Sequence, residues 1–216
     1  MIAVASGTTF NERSHMKIAI LLVAGLCLGS ASSSVPALAQ SAPAGAPSHV
    51  VPQAKQTALG LYVTPREAAD IMRAEGGRIL FVDVRTRGEM LFTRWTPMID
   101  GHVPFVDVTE FWDWDDKEGR YRLEPNGTFS QDVQKLLAAK GLSKSDRVIV
   151  MCRSGDRSAR AANKLVEAGF TNVYSQYEGF EGDQSPYGQR TVNGWKNAGL
   201  PWTYKPDRAK FYAGGF

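Results

Sequence analysis

Cysteine is nearly absent from this chain: Cys27 and Cys152 are the only two among 216 residues. Histidine is almost as scarce, with three in all, and His49 and His102 lack the spacing of a metal-ligand set. His102 reads instead as a structural residue of a turn. No excess of one charge exists either. Lys plus Arg number 25 against 22 Asp plus Glu, a net +3, which argues against nucleic acid as the partner. Asp113, Asp115, Asp116 and Glu118 miss the D-x-D-x-D-G spacing of a calcium loop. There are no internal repeats. What remains is an ordinary soluble composition, 43% hydrophobic and 22% charged.

The first residues stand apart from that composition. Arg13 and Lys17 form a basic region, Ile18 to Leu28 an apolar core, and Val35-Pro36-Ala37-Leu38-Ala39-Gln40 an A-x-A cleavage site. This is the layout of a secretory signal peptide cut near Ala39, with Met1 or Met16 as its start. Its apolar core, about 11 residues, is too short for the roughly 20 of a membrane span, so no stable anchor is expected after cleavage. Cleavage leaves a net charge of +2, one domain of about 177 residues and a periplasmic destination. Cys27 leaves with the leader. Cys152 is then a lone thiol in an oxidising compartment, unable to form an internal disulfide, and a thiol–disulfide oxidoreductase is excluded for want of a second cysteine. It is either an inert core side chain or a reactive thiol.

The expected organisation is a signal peptide over 1–39, a flexible lead-in over 40–58, a folded domain over 59–205 and a C-terminal tail over 206–216. Thr64-Pro65-Arg66-Glu67 has the form of a helix start, with a threonine N-cap, proline in the first turn and glutamate at the third position. That helix should stop at Gly76-Gly77. Ile79 to Val84 is a continuous apolar run, as expected of a strand buried on both faces. A helix follows over Ser130 to Lys140, closed by Gly141, then a second buried strand over Arg147 to Met151. Ser158 to Ala168 should be the next helix, and Asn172 to Ser175 a short third strand. Strands alternating with helices predict an α/β fold with a mainly parallel open sheet and helices on both faces. Glu110 to Gly127 has neither period and reads as a surface excursion anchored by its tryptophans, or else as a substrate lid or docking surface.

The chemistry concentrates where the second buried strand ends. Val148-Ile149-Val150-Met151 runs into Cys152-Arg153-Ser154-Gly155-Asp156-Arg157-Ser158, and a helical pattern follows. In open α/β sheets, ligands bind beyond the carboxyl ends of the strands. Gly155 permits a tight turn, and short side chains let successive N–H groups converge into an anion nest. Arg153 and Arg157 add positive potential, which favours the thiolate, the nucleophilic form. The same nest would hold an anionic substrate and stabilise charge arriving with the transferred atom. The plainer alternative is a glycine-containing turn with an inert cysteine. A cysteine phosphatase or arsenate reductase would need C-x5-R. Here the arginine comes one position earlier, and the smaller ring suits a sulfur-bearing site better than a tetrahedral phosphate.

The loop from Cys152 to Arg157, at the end of a buried strand, resembles the active-site loop of the rhodanese family of sulfurtransferases. Other signatures occur in order. Phe81-Val82-Asp83-Val84-Arg85 resembles the family's D-V-R strand and Glu89 its following acidic position. Gly101-His102-Val103-Pro104 resembles the G-H-I-P turn, Ala168-Gly169-Phe170-Thr171-Asn172-Val173 the A-G-F-x-x-V segment, and Gly179 to Trp195 the glycine-to-tryptophan tail. The likeness covers about Thr64 to Trp202. The chain departs after Pro104, where Phe105-Val106 replaces Gly-Ala, and in Phe111 to Phe129 and Glu181 to Thr191, which look like insertions near the expected mouth.

The resemblance implies a rhodanese-like fold and a two-step transfer. Cys152 would take sulfane sulfur from a small anionic donor such as thiosulfate, becoming a persulfide, and pass it to cyanide or a thiol. It implies substrate-binding roles for Arg153, Ser154, Gly155, Asp156, Arg157 and Ser158, a supporting role for Asp83 and Arg85 in organising the loop, and no metal or organic cofactor. The alternative within the family is a module that binds or carries sulfur without turnover.

Overall fold

The computed structural model describes residues 49–214. The expected signal peptide and its cleavage site, with the lead-in up to residue 48, lie outside the described residues. Strand β1 (Tyr62–Val63) leads into helix α1 (Pro65–Glu75), then β2 (Ile79–Asp83), α2 (Arg87–Thr93) and β3 (Gly101–His102). Short strands β4 (Val106–Val108), β5 (Trp114–Asp115), β6 (Arg120–Tyr121) and β7 (Leu123–Pro125) follow. Helix α3 (Phe129–Ala139), strand β8 (Arg147–Met151), helix α4 (Asp156–Glu167) and strand β9 (Val173–Gln176) complete the order.

Five strands form one parallel sheet in the order β1-β9-β8-β2-β3. The two central strands are buried on both faces, which explains their unbroken apolar sequences. Leu80, Val82, Val148 and Val150 face α3 and α4, joined by Val133, Leu137, Ala161 and Leu165. Ile79, Phe81, Ile149 and Met151 face the other way, toward α1 and α2 through Ala68, Ala69 and Met90, and toward Phe180 and Trp195. Cys152 belongs to the first of these cores, as the residue at which the apolar strand gives out. The expected α/β fold with a mainly parallel sheet and helices on both faces is therefore present.

Local signals are realised closely. Thr64 caps α1, its hydroxyl accepting from the Glu67 N–H while the Glu67 carboxylate accepts from the Thr64 N–H. A second box of identical form, Thr86 with Glu89, opens α2. Helix α4 begins two residues before the expected Ser158, because Gly155 at φ 103 turns the chain sharply enough to start it at Asp156. Arg157 and Ser158 thus sit in the first turn of a helix rather than in a loop.

Three stretches differ from expectation. The end of the supposedly flexible lead-in is folded: Gln53–Lys55 forms a 3-10 turn with Lys55 buried, and the Ala58 N–H donates to Asn163 on α4 at 2.8 Å. Lys55 Nζ pairs with Asp183 at 2.6 Å, tying the lead-in to the segment after β9. Much of the expected tail is also folded. Lys210 donates to the carbonyls of Pro97 and Ile99, each at 2.8 Å, and Tyr212 donates from its hydroxyl to Asp132 at 2.7 Å. His102 lies between this segment and β2. Its Nε2 is 2.8 Å from the Arg85 carbonyl and must donate, leaving Nδ1 to accept from the Tyr212 N–H at 3.4 Å. Burial holds its pKa below the ordinary histidine value, consistent with a neutral structural ring.

The third difference is the excursion over Glu110 to Gly127. It holds the antiparallel ribbon of β5 with β6 and the strand β7, which pairs back onto β4 just before it, and these strands of two or three residues are too short to show a period. Its tryptophans do not anchor it in the core. Trp112 and Trp114 are exposed, each set edge-on against Tyr121 with ring centroids 5.3 Å apart.

Candidate functional site

Cys152 lies directly beyond the register pair Asp83 and Met151, at the carboxyl end of the sheet. Its side chain is 1% exposed, and the turn that follows closes around it. The Gly155 N–H donates to Sγ at 3.1 Å, while the Cys152 N–H donates to Ser158 Oγ at 2.7 Å. Among the described residues no acceptor is placed on the N–H groups of Ser154, Asp156 or Arg157, which is the condition of a nest able to take an anion.

The turn is held from behind by the segment after β9. Phe180 donates to the Cys152 carbonyl at 2.7 Å, and Glu181 and Gly182 donate to the Arg153 carbonyl at 2.9 and 3.1 Å. Two glycines make this approach possible. A Cβ on Gly155 would run into the Tyr177 carbonyl, and one on Gly179 into the backbone of Arg153 and Ser154. Both also sit at positive φ, where any other residue is strained.

The electrostatics centre on Glu89. Arg157 grips it with two hydrogen bonds of 2.7 and 2.5 Å, and Arg153 Nε stands 3.6 Å from the same carboxylate. Burial alone would push the Glu89 carboxyl up, but the bonds and charge of Arg157, the Thr86 N–H and the charge of Arg153 hold it down at about 2. Burial likewise opposes the charge on Arg157, and Glu89 more than offsets it, raising the guanidinium's pKa. Arg153 Nε is buried with no hydrogen-bond partner among the described residues, a donor positioned beside the turn. Above the turn lies a depression of about 380 Å³ walled by Arg153, Arg157 and Arg160, and by Arg120 and Tyr121 from the excursion.

The residues singled out in the sequence divide into groups. Cys152, Arg153, Ser154, Gly155, Asp156 and Arg157 come together at the turn, with Ser154 Oγ donating to Asp156 at 3.1 Å. Ser158 does not face the depression. It is fully buried and braces the turn from inside. Asp83 and Arg85 make no hydrogen bond to residues 152–158. Arg85 is spent on Asp83 at 2.7 to 3.0 Å, on the Thr93 hydroxyl and on the Arg94 carbonyl. The pair reaches the turn only indirectly, the guanidinium lying 4.0 Å from the centre of the Phe180 ring whose N–H supports Cys152.

Sequence reasoning named Glu89 but not its task. The signal was present, since Thr86-Arg87-Gly88-Glu89 repeats the capping pattern that Thr64 to Glu67 displays. Lys55, Asp183 and Arg190 left no local signal. Arg190 donates to the Gly182 carbonyl at 2.6 Å, and its pKa is lowered by burial and by the nearby charge of Arg153. Among the described residues no group of three His, Cys, Asp or Glu could hold a metal ion, and no helix is long and apolar enough to cross a membrane.

Comparison with known proteins agrees with this geometry. A family profile for the rhodanese-like domain matches residues 64–185, more than half of the chain. The uncharacterized protein RP600 of Rickettsia prowazekii is 39% identical over 57 residues, which are 26% of this chain and 42% of that one. The chain thus spans less than half the length of the curated relatives it matches. The crystal structure of Rv0390 from M. tuberculosis is 27% identical, covering 66% of this chain and 96% of that chain with a TM-score of 0.51. A polysulfide-sulfur transferase homodimer from Wolinella succinogenes, at 21% identity, covers 66% of this chain and 77% of that one with a TM-score of 0.40, a likeness too distant to carry a functional argument.

Proposed function

The chain belongs to the rhodanese-like domain family, and from that premise we propose that it is a sulfurtransferase working through a persulfide on Cys152. The observation that carries this reading is the closed turn around Sγ, with the Gly155 N–H donating to it at 3.1 Å. That hydrogen bond strengthens as negative charge gathers on sulfur. In the first step the Cys152 thiolate attacks the outer sulfur of thiosulfate. The new S–S bond forms as the old one breaks, and the electron pair leaves with sulfite. In the second step cyanide, or a thiolate, attacks the outer sulfur of the persulfide, releasing thiocyanate, or an organic persulfide, and restoring the Cys152 thiolate. Charge balances at each step without a redox partner.

Arg153 and the unclaimed N–H groups of the turn would receive the anionic end of the donor. Arg157 holds the geometry through Glu89 and adds field rather than a free gripping edge, which also speaks against phosphate held as in the C-x5-R enzymes. Export is part of this reading and is supported by the pattern of residues 1–39 alone.

The test is mass spectrometry of the protein after thiosulfate, followed by turnover with cyanide. One sulfur added to the peptide bearing Cys152 is expected, with thiocyanate accumulating well beyond one equivalent, and Cys152→Ala abolishing both. Loading without further turnover would identify a sulfur carrier rather than an enzyme. An unmodified thiol would overturn the mechanism.

A further inference from the structure

The segment that leads into the sheet carries a buried cation away from the arginine cluster. Lys55, at the end of the Gln53–Lys55 turn, is 6% exposed, and its ammonium donates to both oxygens of Asp183, at 2.6 and 2.9 Å. Taking an ammonium out of water is costly, and an apolar side chain of similar size often fills such a space equally well. What the charge supplies here is a fixed position.

That position bears on both shoulders of the cysteine turn. The Lys55 stem lies against Gly155, its Cδ 3.0 Å from the point that a Cβ on that glycine would occupy. The ammonium holds Asp183, which Asn193 also grips, donating to the carboxylate at 3.1 Å and accepting from the Asp183 N–H at 2.8 Å. Gly182, the residue before Asp183, donates its N–H to the Arg153 carbonyl at 3.1 Å. One side chain thus reaches the turn directly at Gly155 and through Asp183 at Arg153. The Gly155 N–H is the donor that stands 3.1 Å from Sγ.

The two half-reactions depend on that amide unequally. During loading the Cys152 thiolate attacks the outer sulfur of thiosulfate and gives up negative charge. A donor on Sγ then dulls the nucleophile about as much as it stabilises it, once the thiol is ionised. During discharge the acceptor attacks the outer sulfur of the persulfide, the S–S bond breaks and the electron pair returns to Sγ. A donor already held against Sγ stabilises the charge that develops there.

Resting on the sulfur-transfer reading, we propose that Lys55 is a positioning residue for discharge, holding the Gly155 N–H against the sulfur that leaves as thiolate. It acts through Gly155 and not on the substrate.

The experiment follows the half-reactions separately in the wild-type protein, in Lys55→Ala and in Lys55→Met. Loading by thiosulfate is read from the mass of the Cys152 peptide. Discharge is read as thiocyanate released when cyanide meets the preloaded persulfide, both at about pH 9.5, above the ordinary thiol value. Methionine keeps an unbranched stem without the charge, and serves where alanine fails to fold. Discharge is expected to slow about tenfold in Lys55→Ala and about threefold in Lys55→Met, a part of the roughly hundredfold that losing such a donor outright costs. Loading per folded molecule should stay within about twofold. Slowing in Lys55→Ala alone supports the proposal and assigns the positioning to the stem. Equal slowing of both half-reactions, the mark of a residue that only supports the fold, overturns it. So does slowing confined to loading, or discharge unchanged in both variants. Failure of the wild-type protein to gain a sulfur on Cys152 overturns the sulfur-transfer reading instead, and shows before any variant is compared.

Discussion

Two arginine–carboxylate pairs lie close together in this fold, yet they differ in nearly every physical respect. Asp83 and Arg85 are two residues apart, both wholly buried, and joined within one strand end. Glu89 and Arg157 come from distant parts of the chain, and their side chains are 16% and 11% exposed at the edge of the site. The first pair satisfies itself and makes no hydrogen bond to the cysteine turn, bearing on it through the Phe180 ring and the charge of Asp83 near Arg157. The second pair joins the first turn of α2 to the first turn of α4, and so fixes the turn that encloses Sγ. Identical ion-pair chemistry therefore serves two purposes. Full enclosure makes a brace whose loss is felt by the whole domain, whereas partial exposure makes a mount whose loss is felt first by the site.

The largest effect should come from breaking the enclosed pair. Asp83→Asn leaves a buried guanidinium without its counter-charge, and the expected loss of stability is about 3–5 kcal/mol, read from the urea midpoint. Sulfur loading per folded molecule should change by no more than about twofold, since the pair does not touch the turn. A loss of loading that outruns the loss of folding would erase the distinction.

Breaking the edge pair should reverse that profile. Glu89→Gln is expected to cost about 2 kcal/mol of stability at neutral pH, less than Asp83→Asn, while slowing thiosulfate loading about tenfold or more. The pair also carries a pH signature. The Glu89 carboxyl titrates at about 2 when folded against an ordinary 4.5, so the folded state binds fewer protons between those values. Its contribution is complete above about pH 4.5 and fades as the pH falls toward 2. The stability gap between the wild-type protein and Glu89→Gln should narrow over that window. A gap that stays constant on acidification would show that the pair is not the source.

The smallest effect marks the far end of the same scale. Trp114 belongs to neither pair and is exposed, set edge-on against the exposed Tyr121 ring. Trp114→Ala should alter stability by about 0.5 kcal/mol or less, measured by the same urea titration. A larger change would mean that the excursion is built into the fold more firmly than its exposure indicates.

Much of this architecture is legible in the sequence, and the reasons are local. The apolar runs at Ile79 to Val84 and Arg147 to Met151 read as doubly buried strands because burial on both faces removes any polar alternation. Thr64, Pro65 and Glu67 mark their helix because a capping box needs only neighbours. Cys152 and Gly155 stand out because a thiol at a strand end followed by a turn is itself a local pattern. What the sequence hides is partnership over distance. Glu89 meets Arg157 across 68 residues and Lys55 meets Asp183 across 128, and no periodicity encodes such meetings. Ser158 shows a related limit. Its place beside the turn is evident, but whether its hydroxyl faces inward or outward depends on where α4 begins, and Gly155 moves that start by two residues.

Lys55 has a consequence for where this domain can be cut. The Lys55 stem packs against the back of the Gly155 turn while its ammonium is held by Asp183, so the chain upstream of α1 is a structural member rather than a leash. A shortened protein that begins at Leu61, just ahead of β1, would keep every strand of the sheet and still lose the support behind its reactive sulfur. Among the described residues the domain reaches upstream at least to His49, whose ring lies 5.4 Å from that of Tyr177 and 3.4 Å from the Glu67 carboxylate. Any fusion, tag or protease site is best placed before that point.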